Sequence, residues 1–230
     1  MNGLDRLLEE ALKNIHFGFL INCAIRAIAD RYTFKGLVLI PLLWWAWFYP
    51  GVRRAWCREV VIATIVSAIF ALIVGRLMAH FLPFRLRPLY TPGLSGHFPF
   101  EAAKSADLMA WSSFPSDHAM LWAAVATGIF LISWRAGLLA FLYTLVFICA
   151  PRFYLGYHYP TDLLAGIALG IATTCVLTRD SVRTWFGPPS LRWMERYPGV
   201  FSMLAFVLSL ELVTQFDDIR TLVESAFKVM

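Results

Sequence analysis

Charge is scarce in this chain. Asp, Glu, Lys and Arg together make up 15% of its 230 residues, while 59% are hydrophobic and the mean hydropathy is +0.64. Soluble domains carry about 25% charge and roughly 45–50% apolar residues, so both departures run in the direction lipid demands and exclude an ordinary soluble domain. No Gly/Ser linker, low-complexity block or internal repeat divides the chain, which leaves a single domain over 1–230. The four cysteines, Cys23, Cys57, Cys149 and Cys175, lack CxxC spacing. Three lie in apolar surroundings and Cys57 in a basic loop, so free thiols are expected instead of disulfides or a zinc site. Asp5, Glu9 and Glu10 precede any apolar run, which argues against a cleaved signal peptide. The net charge of +5 is spread singly between apolar runs. That dispersion excludes a nucleic-acid surface and suits residues that set membrane topology and meet anionic headgroups.

Apolar and aromatic residues fill the space that charge leaves. Nine Trp and nineteen Phe supply bulky surface and interfacial anchors, with Trp44, Trp45 and Trp47 reading as an aromatic belt. Apolar stretches occur at about 33–49, 60–82, 116–133, 137–151, 161–178 and 199–214. Several are shorter than the ~20 residues of a perpendicular span, and 137–151 and 199–214 are the shortest fits. The expected fold is all-α, a multi-pass membrane helical bundle of about six transmembrane helices. Residues 1–32, with Leu7, Leu8, Leu12, Ile15 and Phe19 at helical spacing but Lys13 and Arg26 interrupting, read as an interfacial helix. Residues 33–178 form the core, and 179–230 a cytoplasmic loop followed by an apolar helix.

Orientation follows the basic residues. Arg53, Arg54, Arg58, Arg135, Arg179, Arg183, Arg192 and Arg196 fall in connections on one side, which the positive-inside tendency assigns to the cytoplasm. The loops at 83–115 and 152–160 then face the opposite side, and most of the candidate chemistry lies there.

Three clusters carry that chemistry. The first is His80, Arg85, Arg87 and Pro88; the second Pro115, Ser116, Asp117 and His118; the third Arg152, His158 and Asp162. Pro160 suits the first turn of a helix, which places Asp162 where its carboxylate can reach back to His158, hold one ring nitrogen and leave the other basic. Ser116 is an N-cap candidate opening a helix whose free N–H groups suit an anion, with His118 aimed at the same place. Arg87 and Arg152 offer guanidinium forks that match phosphate oxygens. Taken singly, each cluster also fits a plainer role, a capped helix start or an arginine snorkelling to headgroups. Converging on one face, they are the parts of a phosphoryl transfer through phosphohistidine, with no cofactor and no metal.

The three clusters resemble the type 2 phosphatidic acid phosphatase superfamily, which also includes vanadium haloperoxidases, with its pattern K-x6-R-P, P-S-G-H and S-R-x5-H-x3-D. His80 to Pro88, Pro115 to His118 and Pro151 to Asp162 match it in order and spacing. The resemblance implies His158 as nucleophile, Asp162 as its orienter, His118 as general acid, and Arg87, Ser116 and Arg152 as phosphoryl binders. His80 replaces the pattern's Lys, Asp117 its Gly and Pro151 its Ser. His80 and Asp117 are carried as further phosphate-contacting positions, with Arg85 or Arg76 as sources of the missing charge. The runs S-F-P-S-D-H-A and P-R-F-Y-L-G-Y-H-Y-P-T-D-L-L-A-G are similar to bacterial undecaprenyl pyrophosphate phosphatases of the bacitracin-resistance type. That implies an inner-membrane enzyme converting undecaprenyl pyrophosphate to undecaprenyl phosphate on the extracytoplasmic face, with a membrane lipid as its partner. The same chemistry fits phosphatidic acid, phosphatidylglycerol phosphate or a lipid phosphotransferase, and a reading of another class is a catalytically silent scaffold or transport protein. Outside the clusters, the loop Thr91–Ala110 is either a lid or a solvated loop, and Glu211 is an intramembrane carboxylate.

Overall fold

The computed structural model describes residues 17–94, 97–100 and 111–217, together with Gly3, Asp5, Glu10, Ile15 and Met109. Every regular element among them is helical: α1 Phe19–Asp30, α2 Tyr32–Gly36, α3 Leu39–Trp47, α4 Arg54–Phe81, a short 3-10 turn Pro88–Tyr90, α5 Asp117–Ile132, α6 Trp134–Tyr154, α7 Pro160–Leu177, α8 Asp180–Arg196 and α9 Pro198–Thr214. Three of these, α4, α6 and α7, are long and apolar enough to cross a membrane, and α5 and α9 are shorter apolar helices. The protein is a membrane protein built as a helical bundle. At 1.5 Å per residue the 28 residues of α4 extend about 42 Å, more than a hydrocarbon core of about 30 Å.

The bundle is assembled around α5. From Ala119 to Ala126 none of its side chains reaches the surface, so a 16-residue helix too short to face lipid on its own is enclosed by α4, α6 and α7. Small residues let the backbones approach. A Cβ on Gly170 of α7 would lie 2.3 Å from the Met120 carbonyl oxygen, and one on Gly166 2.6 Å from that of Ser116. Thr174 Oγ1 donates to the Ala124 carbonyl at 3.1 Å across the same seam. Gly170→Ala is therefore expected to cost about 1–3 kcal/mol, because backbone must move to admit the methyl group. Gly199→Ala, where nothing lies within 4 Å, should leave the melting temperature in detergent unchanged and serves as the control.

Successive elements alternate between two ends. Tyr32 and Lys35, Arg76 near the end of α4, Asp117 and His118 at the start of α5, Arg152 near the end of α6, and Gln215 and Asp217 after α9 all border one cavity. The opposite end gathers arginines: Arg58 lies over Trp47 at 5.1 Å, and Arg183 Nε pairs with Glu59 at 3.0 Å.

Several boundaries differ from the sequence expectation. The stretch at 33–49 is split into α2 and α3 around Leu37 and Val38. Cys57, expected in a basic loop, is buried in the first turns of α4, and the run Arg183 to Arg196 is helical, not loop. Arg152 belongs to α6 and not to the loop after it. The stretch at 137–151 extends to 21 residues because α6 continues through a π-helical segment, Thr144–Cys149. Pro151 has no N–H for the carbonyl one turn earlier, and the register widens there. The cysteines are free thiols. Of the interfacial segment, Phe19–Asp30 docks on the core, where Tyr154 donates to Asn22 Oδ1 at 2.8 Å. Much of Thr91–Ala110, including Glu101, Lys104 and Asp107, lies outside the described residues.

Candidate active site

The three motifs are tied to one another by backbone hydrogen bonds. The Leu89 N–H donates to the Gly156 carbonyl (2.9 Å), Ser113 to Arg85 (2.8 Å), and Ser116 to Asp162 (3.2 Å). Gly156 has φ +71 and permits the sharp reversal between α6 and His158. The helix starts form as expected: Ser116 caps α5, and Asp162 closes a capping box by accepting the Tyr159 N–H at 2.9 Å.

Arg87, Asp117, His118, Arg152 and His158 line a single cavity of about 260 Å³, joined there by Lys35, Arg76 and Asp217. His158 is buried, and its Nδ1 lies 2.9 Å from the Ser113 carbonyl oxygen. A carbonyl only accepts, so Nδ1 carries the hydrogen and Nε2 keeps its lone pair. Arg87 Nη1 stands 3.4 Å from that Nε2 and donates to the Tyr157 carbonyl at 3.0 Å. Burial, and after it the positive charge of Arg87, pushes the His158 ring down to about 3. The ring is thus neutral and nucleophilic at any physiological pH.

His118 is oriented differently. Its Nδ1 lies 2.8 Å from Asp117 Oδ1, so this nitrogen too holds the hydrogen and Nε2 is the acceptor. Arg152, 3% exposed, is braced by the Ile148 carbonyl at 3.0 Å and the Ala29 carbonyl at 3.5 Å. Its guanidinium is held in place before any ligand arrives.

Three candidate residues sit outside the cavity lining. Asp162 Oδ2 is 3.9 Å from His158 Nδ1, beyond hydrogen-bond range. It accepts instead from the Ser113 hydroxyl, and Arg85 donates to its other oxygen. Its hold on His158 therefore runs through Ser113, whose carbonyl makes the direct contact. Ser116 is buried, and its Oγ accepts the Ala119 N–H at 3.5 Å. His80 is exposed on the last turn of α4, edge-on to Phe81 at 5.1 Å between centroids.

Of the two arginines expected to supply charge, Arg76 faces the cavity while Arg85 turns away to Asp162 and to Asp5 (2.6 Å). Arg76 Nη2 donates to the Gln215 carbonyl at 2.8 Å and to Asp217 at 3.0 Å, and Tyr32 donates to the other Asp217 oxygen at 2.5 Å. Sequence reasoning missed Ser113, Asp217 and Lys35. For Lys35 a signal existed: a lone cation at the start of an apolar run is costly unless it serves a site. Ser113 and Asp217 carry no such mark, since a serine in a loop and a carboxylate beyond the last helix are ordinary. Glu211 Oε2 is buried with no hydrogen-bond partner among the described residues. No group of three or more His, Cys, Asp or Glu side chains suited to a metal occurs among the described residues.

Comparison with known proteins places this site in context. Residues 59–186 match the model of the PAP2 superfamily, more than half of the chain and all three motifs. A curated relative, the bacitracin transport permease protein BcrC of Bacillus licheniformis, is 32% identical over 111 residues, 48% of each chain. The match thus spans about half of that relative's length. The crystal structure of Aquifex aeolicus LpxE superposes with a TM-score of 0.50 at 23% identity, covering 76% of this chain and 94% of that one, a likeness of fold.

Proposed function

Because the chain belongs to the PAP2 superfamily, we propose that it is a membrane lipid phosphatase that hydrolyses an isoprenoid lipid pyrophosphate, undecaprenyl pyrophosphate first among them, through a phosphohistidine on His158. The observation that carries this reading is the state of His158, a buried neutral ring whose Nδ1–H is held by Ser113 and whose Nε2 faces a cavity lined by Arg87 and Arg152. The Nε2 lone pair attacks phosphorus, the arginines hold the phosphoryl oxygens as charge builds on them, and His118 serves the leaving oxygen. Water then cleaves the N–P bond, and phosphate departs.

Two features favour a diphosphate headgroup. With Arg87 beside His158 Nε2, Arg152 and Arg76 line the same cavity, enough cations for two phosphate groups. The likeness to the bacitracin transport permease protein BcrC agrees with the motif resemblance to bacitracin-resistance-type enzymes. The permease in that name corresponds to the transport reading, against which stands the assembled set of His158, His118, Arg87 and Arg152.

The test is phosphate release by the purified protein in EDTA from undecaprenyl pyrophosphate, phosphatidic acid and phosphatidylglycerol phosphate. Turnover fastest on the first is expected. Preference for a glycerophospholipid would move the substrate assignment, transfer of phosphate to a second lipid would make it a transferase, and silence on all three would favour the scaffold or transport reading.

The site is assigned to the extracytoplasmic face of the inner membrane, since the arginines cluster at the opposite end of the bundle. With the native cysteines removed, a Ser95→Cys variant should react with a membrane-impermeant maleimide in intact cells. Labelling only after lysis reverses the orientation.

A further inference from the structure

Lys35 comes from α2, outside all three motifs, yet it lines the cavity beside His118. The residue is 4% exposed, Nζ lies 3.2 Å from His118 Nε2, and the same Nζ sits over the Tyr32 ring at 4.2 Å. The Asp117 carboxylate holds the opposite nitrogen, His118 Nδ1, at 2.8 Å. These contacts fix the direction of both hydrogen bonds. His118 Nδ1 gives its hydrogen to Asp117, so Nε2 has only a lone pair to offer, and an ammonium has only hydrogens. His118 in this state cannot protonate anything through Nε2 until it receives a proton there. The group in contact with that nitrogen is Lys35.

Resting on the phosphatase reading above, we infer that Lys35 is the proton source of the reaction, the outer member of a Lys35–His118–Asp117 relay. In the first half-reaction His158 Nε2 forms the bond to phosphorus and the bond from phosphorus to the leaving oxygen breaks. A proton passes from Lys35 Nζ to His118 Nε2 and on to that oxygen, leaving Lys35 as the free amine, while Asp117 stabilises the transient imidazolium. In the second half-reaction a water oxygen bonds to phosphorus and the N–P bond breaks. The water proton goes to His118 Nε2 and returns to Lys35, restoring the ammonium. One water is consumed, and protons and charge balance over the cycle. The charged groups sharing the cavity with Lys35 are Arg76, Arg87 and Arg152 with Asp30, Asp117 and Asp217. The guanidinium groups do not give up protons, so none of the arginines can take its place.

The experiment separates a proton donor from a fixed positive charge. Lys35→Arg keeps the charge and removes the transferable proton. With purified full-length protein and farnesyl monophosphate, whose leaving alkoxide must gain a proton, kcat of this variant is expected to fall about 100-fold, within the range for loss of a general acid. KM should stay within about threefold, and the loss should shrink on p-nitrophenyl phosphate, whose leaving oxygen needs little protonation. Lys35→Arg with near wild-type kcat, or with an equal loss on both substrates, overturns the relay and leaves a simple charge. If arginine does not fit the site, Lys35→Ala with added methylammonium gives the second measurement. Recovery of kcat supports the relay, and no recovery overturns it. His158→Ala in the same assay certifies that the release measured arises at this site. Failure of the wild-type protein to release phosphate from farnesyl monophosphate and from farnesyl pyrophosphate would overturn the phosphatase reading, and the relay with it, whereas release from the pyrophosphate alone, or normal wild-type release with an unimpaired Lys35→Arg variant, overturns the relay alone.

Discussion

Phosphate release by His158→Ala is expected to fall by on the order of 10⁵-fold, as it does when the nucleophile of a covalent mechanism is removed. The size of the effect follows from the geometry. Among the two cavity histidines, only the Nε2 of His158 is a lone pair flanked by a guanidinium, with Arg87 Nη1 at 3.4 Å; the Nε2 of His118 is occupied by Lys35 at 3.2 Å. No second group is placed to take over the attack. The ring's low proton affinity, about 3, also has a consequence for pH. A group whose folded value lies below its ordinary value of 6.5 is unprotonated through the physiological range and charges only as pH falls towards 3. The acid limb of kcat/KM should therefore not begin near 6.5 on account of His158. The measurement is single-turnover phosphate release with acid-labile labelling of the protein: the wild type should trap label on histidine and His158→Ala none, while its melting temperature in detergent stays within a few degrees of wild type. Full activity in the variant would remove the covalent mechanism.

Arg87→Ala is expected to lower kcat/KM by about 10³-fold or more, in the range that loss of an arginine at a transferring phosphoryl group produces. Arg87 serves two ends at once, since Nη1 donates to the Tyr157 carbonyl at 3.0 Å and borders His158 Nε2. Removal takes away positive charge from the cavity and frees the loop that carries His158. Arg87→Lys should recover only part of the loss, because a point charge on a flexible stem cannot keep the carbonyl contact and address phosphate oxygens together. Full recovery by lysine would mean that charge alone matters and that the bond to Tyr157 is incidental.

Much of this protein was legible in its residues because the relevant signals are local. An apolar run announces a helix in lipid whatever it packs against, and five of the six expected stretches return as single helices with ends moved by a few residues. The superfamily resemblance, carried by three short motifs, is borne out by the match over residues 59–186. Ser116 as a cap and Asp162 in a first turn were readable for the same reason, since capping depends on neighbours within one helical turn.

Relations between distant segments were not legible. That Ser113 lies between Asp162 and His158 depends on how the loop before α5 rests on the start of α7, a matter of a few ångströms that turns a direct contact into an indirect one. That Lys35 reaches the site could not be read either, because it lies 83 positions before His118 in the chain and meets it only once α2 packs against α6 and α9. Composition and periodicity determined that this is an α-helical membrane protein, because burial of apolar surface and satisfaction of backbone hydrogen bonds act within each segment, and the three motifs implied phosphoryl chemistry at one end. Which nitrogen of each histidine carries its hydrogen and which cations share the cavity were decided only by tertiary packing, since hydrogen bonds form between groups within about 3 Å however far apart the chain places them.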